Sequence, residues 1–458
     1  MKNLIPSFIK NLYRRILFSF ACIYYGVNIK ESKFIGVTGT SGKTTTSSMI
    51  YHLLERNGVN VGLISTVGVK MREKNMETGF HVTTPDPIDL VRYIKELQDE
   101  NVEYIVLEAS SHALAQNRIG GIQFKYSVFT NIAEDHLDFH KTWENYARAK
   151  AILIDRLEKE GVLIINKDDS RSFKFLKNYI RNKNINVIEY SLDEVSEKKQ
   201  SIESVTFNYK NNEFNIRILG DYNISNALAA IKVAENFGIE VKKLAKSFSE
   251  FKTVQGRMEV FQMNPFMVIL DFAHNADSLE KSLETAVKLV KDGGRLISIF
   301  GSAGLRDLNK RFEMGRISGE IADITILTAE DPRTEKLFNI NSEILRGLES
   351  DGAKLVRRFE NHKKYLEFLQ SFGGSENNIK ESIPYIQGVE NPIEVEQVYI
   401  FDEDTVNSRL DAIDLAMRIA DKGDVIITNG KGHERTLAFG SIEYPFSDQK
   451  AIKKALGK

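Results

Sequence analysis

Cysteine is almost absent from this 458-residue chain: Cys22 stands alone. That excludes an internal disulfide framework and a cysteine-based zinc site, and it suits a reducing compartment, so the cytoplasm is the expected location. An excess of one charge sign is missing too. The 62 Lys and Arg residues are balanced by 63 Asp and Glu, and a net charge of -1 gives neither a broad basic field for nucleic acid nor an acidic tail. Any anionic substrate must be held by local groups, and no nucleic-acid partner is expected. No internal repeat of solenoid type is present. The apolar run from Ile16 to Val27, preceded by Lys10, Arg14 and Arg15, superficially resembles a signal peptide. It is shorter than the roughly 20 residues that cross a bilayer. With Phe8, Leu12, Phe18, Phe20, Tyr24 and Tyr25 interspersed, it can cover a face of its own protein, the commoner use of such a run, or make a peripheral membrane contact.

What is present is globular. A 42% hydrophobic content and this length suit two or three domains. Short apolar runs at Phe34 to Val37, Tyr104 to Leu107, Tyr126 to Phe129 and Val162 to Ile165 alternate with helix-like stretches, the signature of a parallel α/β sheet. A second series, Val268 to Leu270, Leu296 to Phe300, Ile324 to Leu327 and Val425 to Ile427, reads as strands buried on both faces. The boundary between the series falls near Thr253, after a helical region from Asn226 to Phe237 and a charged stretch from Glu240 to Lys252. Residues 371–396 have no clear period and read as a surface insertion. The expected organisation is a short apolar segment (1–32), a central domain (33–253) and a C-terminal domain (254–458).

Thr38-Gly-Thr-Ser-Gly-Lys-Thr-Thr45 lies where a phosphate loop belongs, after a strand and opening a helix. Gly39 and Gly42 let backbone N–H groups of Thr40 and Ser41 turn toward phosphate oxygens, and the helix N-terminus opened by Thr44 and Thr45 adds its dipole. Lys43 can reach the β- and γ-phosphates, and the Thr44 hydroxyl suits Mg²⁺. Val37 stands where the general motif has its first Gly.

This form of the loop resembles that of the Mur ligases and their folylpolyglutamate synthetase relatives. Further motifs follow in the family's order: Glu108-Ala-Ser-Ser-His112, Thr130 to Asp138, Tyr146-Ala-Arg-Ala-Lys150, Gly220-Asp-Tyr-Asn223 with Asn226, Gly256-Arg-Met-Glu259, Asp271-Phe-Ala-His-Asn275 and Gly430-Lys-Gly-His-Glu434. The resemblance covers nearly everything from Lys33 to the C-terminus. It implies an α/β fold with a central P-loop-type mononucleotide-binding sheet domain and a C-terminal Rossmann-like domain. It also implies an ATP-dependent amide ligase that works through an acyl phosphate, as a monomer. Two Mg²⁺ ions are implied, one held by Thr44 and Glu108, the other by His136 and a carbamylated Lys150. Hard cations of this kind take oxygen ligands and an occasional imidazole. Asn223 and Asn226 resemble the family's pair near adenine, Asp271 its ribose contact with His274 close by, and Arg257 a nucleotide-phosphate contact.

Thr83, Thr84, Ser110, Gln116 and Arg118 resemble the residues with which stem-peptide ligases of the family hold a muramoyl-dipeptide. Glu330-Asp331-Pro332-Arg333 occupies the place of the Asp-Asn-Pro-Arg motif of members that add meso-diaminopimelate, and Arg311, Gly430 and Glu434 match other positions around that diamino acid. An arginine fork suits its distal carboxylate, and Glu434 its distal ammonium. Glu330 and Asp331 depart from the motif. Only 38 residues precede Gly39, where the family's uridine-binding first domain would need roughly a hundred, so that domain is expected to be missing or replaced. Two alternatives are a folylpolyglutamate or polyamide-type synthetase, against which the Ser-Ser-His-Ala-Leu and Glu-Asp-Pro-Arg segments stand, and a non-catalytic nucleotide-binding partner subunit. Retention of Lys43, Glu108, His136 and Lys150 together stands against the latter.

Overall fold

Alternation along the buried strands decides the layering of the first half of the chain. Phe34, Ile105, Leu107, Leu163 and Ile165 point into one core, while Ile35, Val37, Val106, Val162 and Ile164 point into another on the opposite face. The computed structural model describes residues 7–72, 74–76, 83–291, 293–306, 308–352, 355–371 and 397–458, so all but the first residue of the expected insertion lies outside the described residues. The chain divides into two units, Met1–Val254 and Gln255–Lys458.

In the first unit the strands are β1 (Lys33–Thr38), β2 (Val61–Ser65), β3 (Gly68–Met71), β4 (Lys74–Met76), β5 (Tyr104–Glu108), β6 (Phe124–Phe129), β7 (Leu157–Asn166) and β8 (Asn186–Tyr190). They form one sheet in the order β4-β3-β2-β5-β1-β6-β7-β8, in which β3 alone runs opposite to the rest, pairing antiparallel with both β2 and β4. A small antiparallel sheet adds β9 (Val195–Gln200), β10 (Val205–Tyr209) and β11 (Asn212–Ile216). One face of the main sheet is covered by the helices Lys43–Arg56 and Tyr222–Glu235, the other by Pro87–Asp99 and Trp143–Asp155. Gly36 has no side chain because the second face leaves no room for one: a Cβ there would meet Leu153 and Phe124 at 2.8 Å. The Trp143–Asp155 helix therefore lies close against β1.

The apolar N-terminal run is a helix, Ser7–Tyr25. It packs on its own unit, with Phe18 and Ala21 joining the core. Asn11 donates to the Ala115 carbonyl (2.9 Å), and the Phe18 ring lies on Gly120, where a Cβ would sit 2.1 Å from it. Full burial of an aromatic side chain of this kind stabilises by roughly 1.5–3 kcal/mol.

The second unit comprises β12 (Glu259–Gln262), β13 (Met267–Leu270), β14 (Leu296–Phe300), β15 (Ile324–Leu327), β16 (Leu355–Phe359), β17 (Gln397–Phe401), β18 (Val425–Thr428) and the hairpin β19 (Thr436–Phe439) and β20 (Ile442–Pro445). The sheet order is β12-β13-β18-β14-β15-β17-β16, parallel but for β12. Helices such as Asn309–Ile321 and Asn407–Ile419 connect its strands, giving the Rossmann-like alternation.

Candidate active site

Register assembles the first unit's site. Val37 of β1 lies opposite Glu108 of β5, and Thr38 opposite Phe129 of β6. Three neighbouring strands thus end together, and the phosphate loop, Glu108 and the Thr130-Asn131 turn leave the sheet side by side at its carboxyl edge, where open α/β sheets bind ligands. The loop is clamped from the β6 side. Asn131 accepts from Thr40 N (2.8 Å) through its carbonyl and from Ser41 N (2.9 Å) through Oδ1, and Thr130 Oγ1 donates to Ser41 O (2.7 Å). Gly39 is required by this clamp, since a Cβ would meet Thr130 Oγ1 at 1.8 Å. Gly42, at φ 82°, takes the left-handed turn into the Lys43–Arg56 helix. A Cβ there would lie 2.3 Å from Asn226 Oδ1. Asn226 also accepts from Thr46 Oγ1 (3.2 Å) and donates to Asn223 (2.8 Å), which donates to Leu219 O (2.7 Å), so this pair braces the loop from behind.

Glu108 is buried, with one oxygen accepting from Thr44 Oγ1 (2.9 Å) and the other from Thr66 N (2.9 Å) and Thr66 Oγ1 (2.8 Å). Lys43 Nζ donates to Thr40 O (2.9 Å). Lys150 is wholly buried, donates to Gly39 O (2.6 Å) and lies over the Tyr146 ring at 4.4 Å. Burial, with the Lys43 charge as a lesser cause, holds its amine well below the usual lysine range. Tyr146 OH shares a hydrogen bond with Thr40 Oγ1 (3.1 Å). His136 sits at φ 54° on the turn before Leu137, its ring 4.7 Å from that of His112 and 6.3 Å from that of Tyr146.

The residues fit the implied divalent ions through donor chemistry. A hydroxyl and a carboxylate, Thr44 and Glu108, stand beside the phosphate loop, and Mg²⁺ is bound in such places by one or two carboxylates with phosphates and waters completing the shell. Among the described residues there is no cluster of three or more His, Cys, Asp or Glu able to hold a metal without such help.

Thr84, Ser110, Gln116 and Arg118 come together beyond β5. Thr84 Oγ1 donates to Glu108 O (2.9 Å) and accepts from Ser110 N (3.0 Å), while Arg118 donates to Gln116 Oε1 (3.0 Å) and Thr84 O (3.4 Å). Thr83 precedes them, half-buried.

In the second unit, Gly256-Arg-Met, Asp271-Phe-Ala-His and Gly430 to Glu434 converge. Arg257 stacks over Phe272 (4.4 Å), whose ring is 5.1 Å from His433. Asp271 accepts from Met258 N (3.0 Å), and His274 Nδ1 lies 2.8 Å from Phe272 O. Gly256, at φ 67°, has His433 N 2.3 Å from where a Cβ would be. Asp331 and Arg333 both adopt left-handed backbones, φ 46° and 57°. Pro332 O lies against Gly304, and Arg333 donates to Gly304 O (2.9 Å). Asp331 accepts from Lys431 Nζ (2.9 Å), which also pairs with Glu434, and from Ala438 N (2.9 Å). Arg311 is not brought to this group: it is fully buried on Glu335 (2.7 Å) and Glu343 (2.8 Å), and it holds the Ala303 to Leu305 turn through Ala303 O and through Glu335.

Sequence reasoning passed over Thr66, Lys431 and Arg409. Arg409 grips Asp448 with two bonds (2.7 and 2.6 Å) and donates to Ala329 O and Asn429 O, fixing the starts of the Glu330 and Gly430 turns together. Lys431 lay inside a quoted motif; the other two had no local signal.

Glu330 is buried, its Oε2 without a hydrogen-bond partner among the described residues and close under Gly430. Burial raises its carboxyl from 4.5 to about 7, against the pull of Lys310 and Lys431. A folded-state value above the unfolded one favours the neutral acid, so this contribution to stability is full below pH 4.5 and lost as pH rises through 7. The Glu330→Gln variant should therefore gain on the wild type above neutrality, by up to about 3 kcal/mol. Thermal unfolding of both proteins across this range checks it, and parallel pH profiles would count against a neutral Glu330.

Residues 37–234 match the Mur ligase middle domain, and residues 256–376 match the Mur ligase glutamate ligase domain. The UDP-N-acetylmuramoyl-L-alanyl-D-glutamate--2,6-diaminopimelate ligase of Clostridium botulinum is 35% identical over 452 residues, covering 97% of this chain and 82% of the relative. The ligase of the same name from Aquifex aeolicus is 33% identical, covering 99% and 83%. A solved structure of a ligase of that name superposes with a TM-score of 0.57 at 24% identity, covering 99% of this chain and 83% of that one. Mycobacterium tuberculosis folylpolyglutamate synthase, solved with ADP and AMPPCP, superposes with a TM-score of 0.65 at 15% identity, covering 99% of each. Sequence over nearly its whole length and fold agree that this chain belongs to the Mur ligase family.

Proposed function

We propose that this protein is an ATP-dependent ligase that joins meso-diaminopimelate to the D-glutamyl carboxylate of a muramoyl-L-alanyl-D-glutamate acceptor in peptidoglycan precursor synthesis, acting as a monomer in the cytoplasm. The observation that supports it most is the loop at Gly39 to Thr45 with Glu108 and Lys150 gathered against it, in a chain whose relatives bear the name of that ligase. An acceptor carboxylate oxygen attacks the γ-phosphorus, the bond to the ADP oxygen breaks, and an acyl phosphate forms. The amine nitrogen of the diamino acid then attacks the acyl carbon, phosphate leaves with the original carboxylate oxygen, and the amine loses a proton. The helix N-terminus that the loop opens and Lys43 hold the phosphates, the Thr40 and Ser41 N–H groups being engaged by Asn131, and Thr44, Glu108, His136 and Lys150 are the groups that would hold two Mg²⁺, which neutralise the crowded anions when bound. Positioning and charge neutralisation account for such catalysis, with no side-chain nucleophile. A heavy-oxygen label in the acceptor carboxylate should reappear in the released phosphate; label retained wholly in the amide product would reject the acyl phosphate.

Lys150 serves here as its carbamate. The buried neutral amine attacks the carbon of CO₂ and releases one proton, which puts beside Lys43 an anion that a metal can accept as a ligand. Lys150→Ala should be inactive and partly rescued by a short-chain carboxylic acid. Full activity without rescue would show that the carbamate has no role.

Thr83, Thr84, Ser110, Gln116 and Arg118 are assigned to the dipeptide acceptor, Asn223, Asn226, Arg257, Asp271 and His274 to the nucleotide, and Arg333, Glu330, Asp331, Gly430 and Glu434 to the diamino acid. Arg311 acts through Glu335 on the turn beside Arg333.

A further inference from the structure

Opposite the buried Phe18, the Ser7–Tyr25 helix leaves Ile9, Leu12, Tyr13, Ile16, Phe20, Ile23 and Tyr24 exposed, up to 80% at Ile23. At 3.6 residues per turn these seven fall within an arc of roughly 120°. Scattered exposed apolar residues need no explanation, but a continuous stripe of seven large ones does. Half-buried Lys10 and exposed Arg15 lie just beyond the two borders of the stripe. The carboxylates of the supporting helix, Asp89, Glu96 and Asp99, are ion-paired with Arg92 or Lys95 of that same helix.

We infer that this face lies on an anionic bilayer surface, the aliphatic and aromatic side chains entering the headgroup boundary and the basic borders meeting lipid phosphate. An apolar arc with basic residues on its flanks is the design of helices that lie in the interface plane. No helix among the described residues is long and apolar enough to cross a membrane, which fits lying on it. A second copy is the poorer occupant, because a two-fold pairing of this stripe would bring like charges of Lys10 and Arg15 toward each other. This holds whichever acceptor the ligase uses.

The full-length protein should sediment with vesicles of equal parts phosphatidylglycerol and phosphatidylcholine and far less with phosphatidylcholine alone, with binding falling as salt rises. Ile16→Glu with Ile23→Glu should weaken this by roughly tenfold or more, and Lys10→Gln with Arg15→Gln should weaken binding to the anionic vesicles only. Melting temperature and ATP-dependent ligation without vesicles should be unchanged in both. Failure of the wild type to sediment with anionic vesicles would overturn the inference. A dimer in light scattering that the double glutamate variant splits would assign the face to a second copy instead, and a large fall in melting temperature would place it in the protein's own core.

Discussion

Lys43→Ala should lower ligation by about 10³-fold or more, with the fold intact. A preorganised charge aimed at a reacting phosphoryl group contributes on this scale, and Lys43 Nζ donates to the Thr40 carbonyl of its own loop. Glu108 is a different case. Alanine there would strip the acceptor from Thr44 Oγ1, Thr66 N and Thr66 Oγ1 in a buried position, so lost activity would mix with lost structure. Glu108→Gln keeps the shape and removes the charge, and it should show a comparable loss of turnover with a much smaller change in melting temperature. Near wild-type kcat in purified Lys43→Ala or Glu108→Gln would reject the nucleotide and metal assignment.

The second large effect concerns the amino acid. With Arg333 and Glu434 reading opposite charges at the far end of meso-diaminopimelate, lysine, which lacks the second carboxylate, would leave Arg333 unmatched. Removing one partner of a desolvated charged hydrogen bond costs on the order of 2–5 kcal/mol, which corresponds to a preference of roughly 30-fold or more for diaminopimelate in kcat/KM. Arg333→Ala should lose most of that preference by harming diaminopimelate far more than lysine. The local structure adds a constraint. Asp331 already accepts from Lys431 and Ala438, and Glu434 pairs with Lys431, so this lysine already pairs with both acids that the diamino acid would meet. Equal use of lysine by the wild type would reject the diaminopimelate assignment and leave the ligase assignment standing.

The sheet strands that were legible in the sequence are those buried on both faces, such as Val162 to Ile165 and Leu296 to Phe300, because an unbroken apolar run has few other readings. β9, Val195–Gln200, was not legible: its residues from Ser196 to Lys199 are exposed and polar, and only Val195 is buried. The stretch from Glu240 to Lys252 reads only as charged, yet Val241–Ser249 is a helix with Leu244 and Phe248 on its buried side. Site residues were legible where the chemistry is local, as in the loop from Gly39 to Thr45. Thr66 and Arg409 act on groups distant in sequence, Glu108 and the Ala329 and Asn429 carbonyls, and no spacing rule reaches them before the fold is known. Asn223 and Asn226 were placed near adenine by resemblance; their hydrogen bonds add a support beneath Gly42 that the motif alone did not disclose.

The central claim is that ATP cleavage here is coupled to amide formation. Purified protein given ATP, Mg²⁺, a muramoyl-L-alanyl-D-glutamate acceptor and meso-diaminopimelate should release one ADP and one phosphate for each amide formed, with release falling to background when either the acceptor or the amine is withheld from multiple-turnover assays. ADP release that proceeds at the same rate without acceptor and amine, or no release with both present, would contradict it.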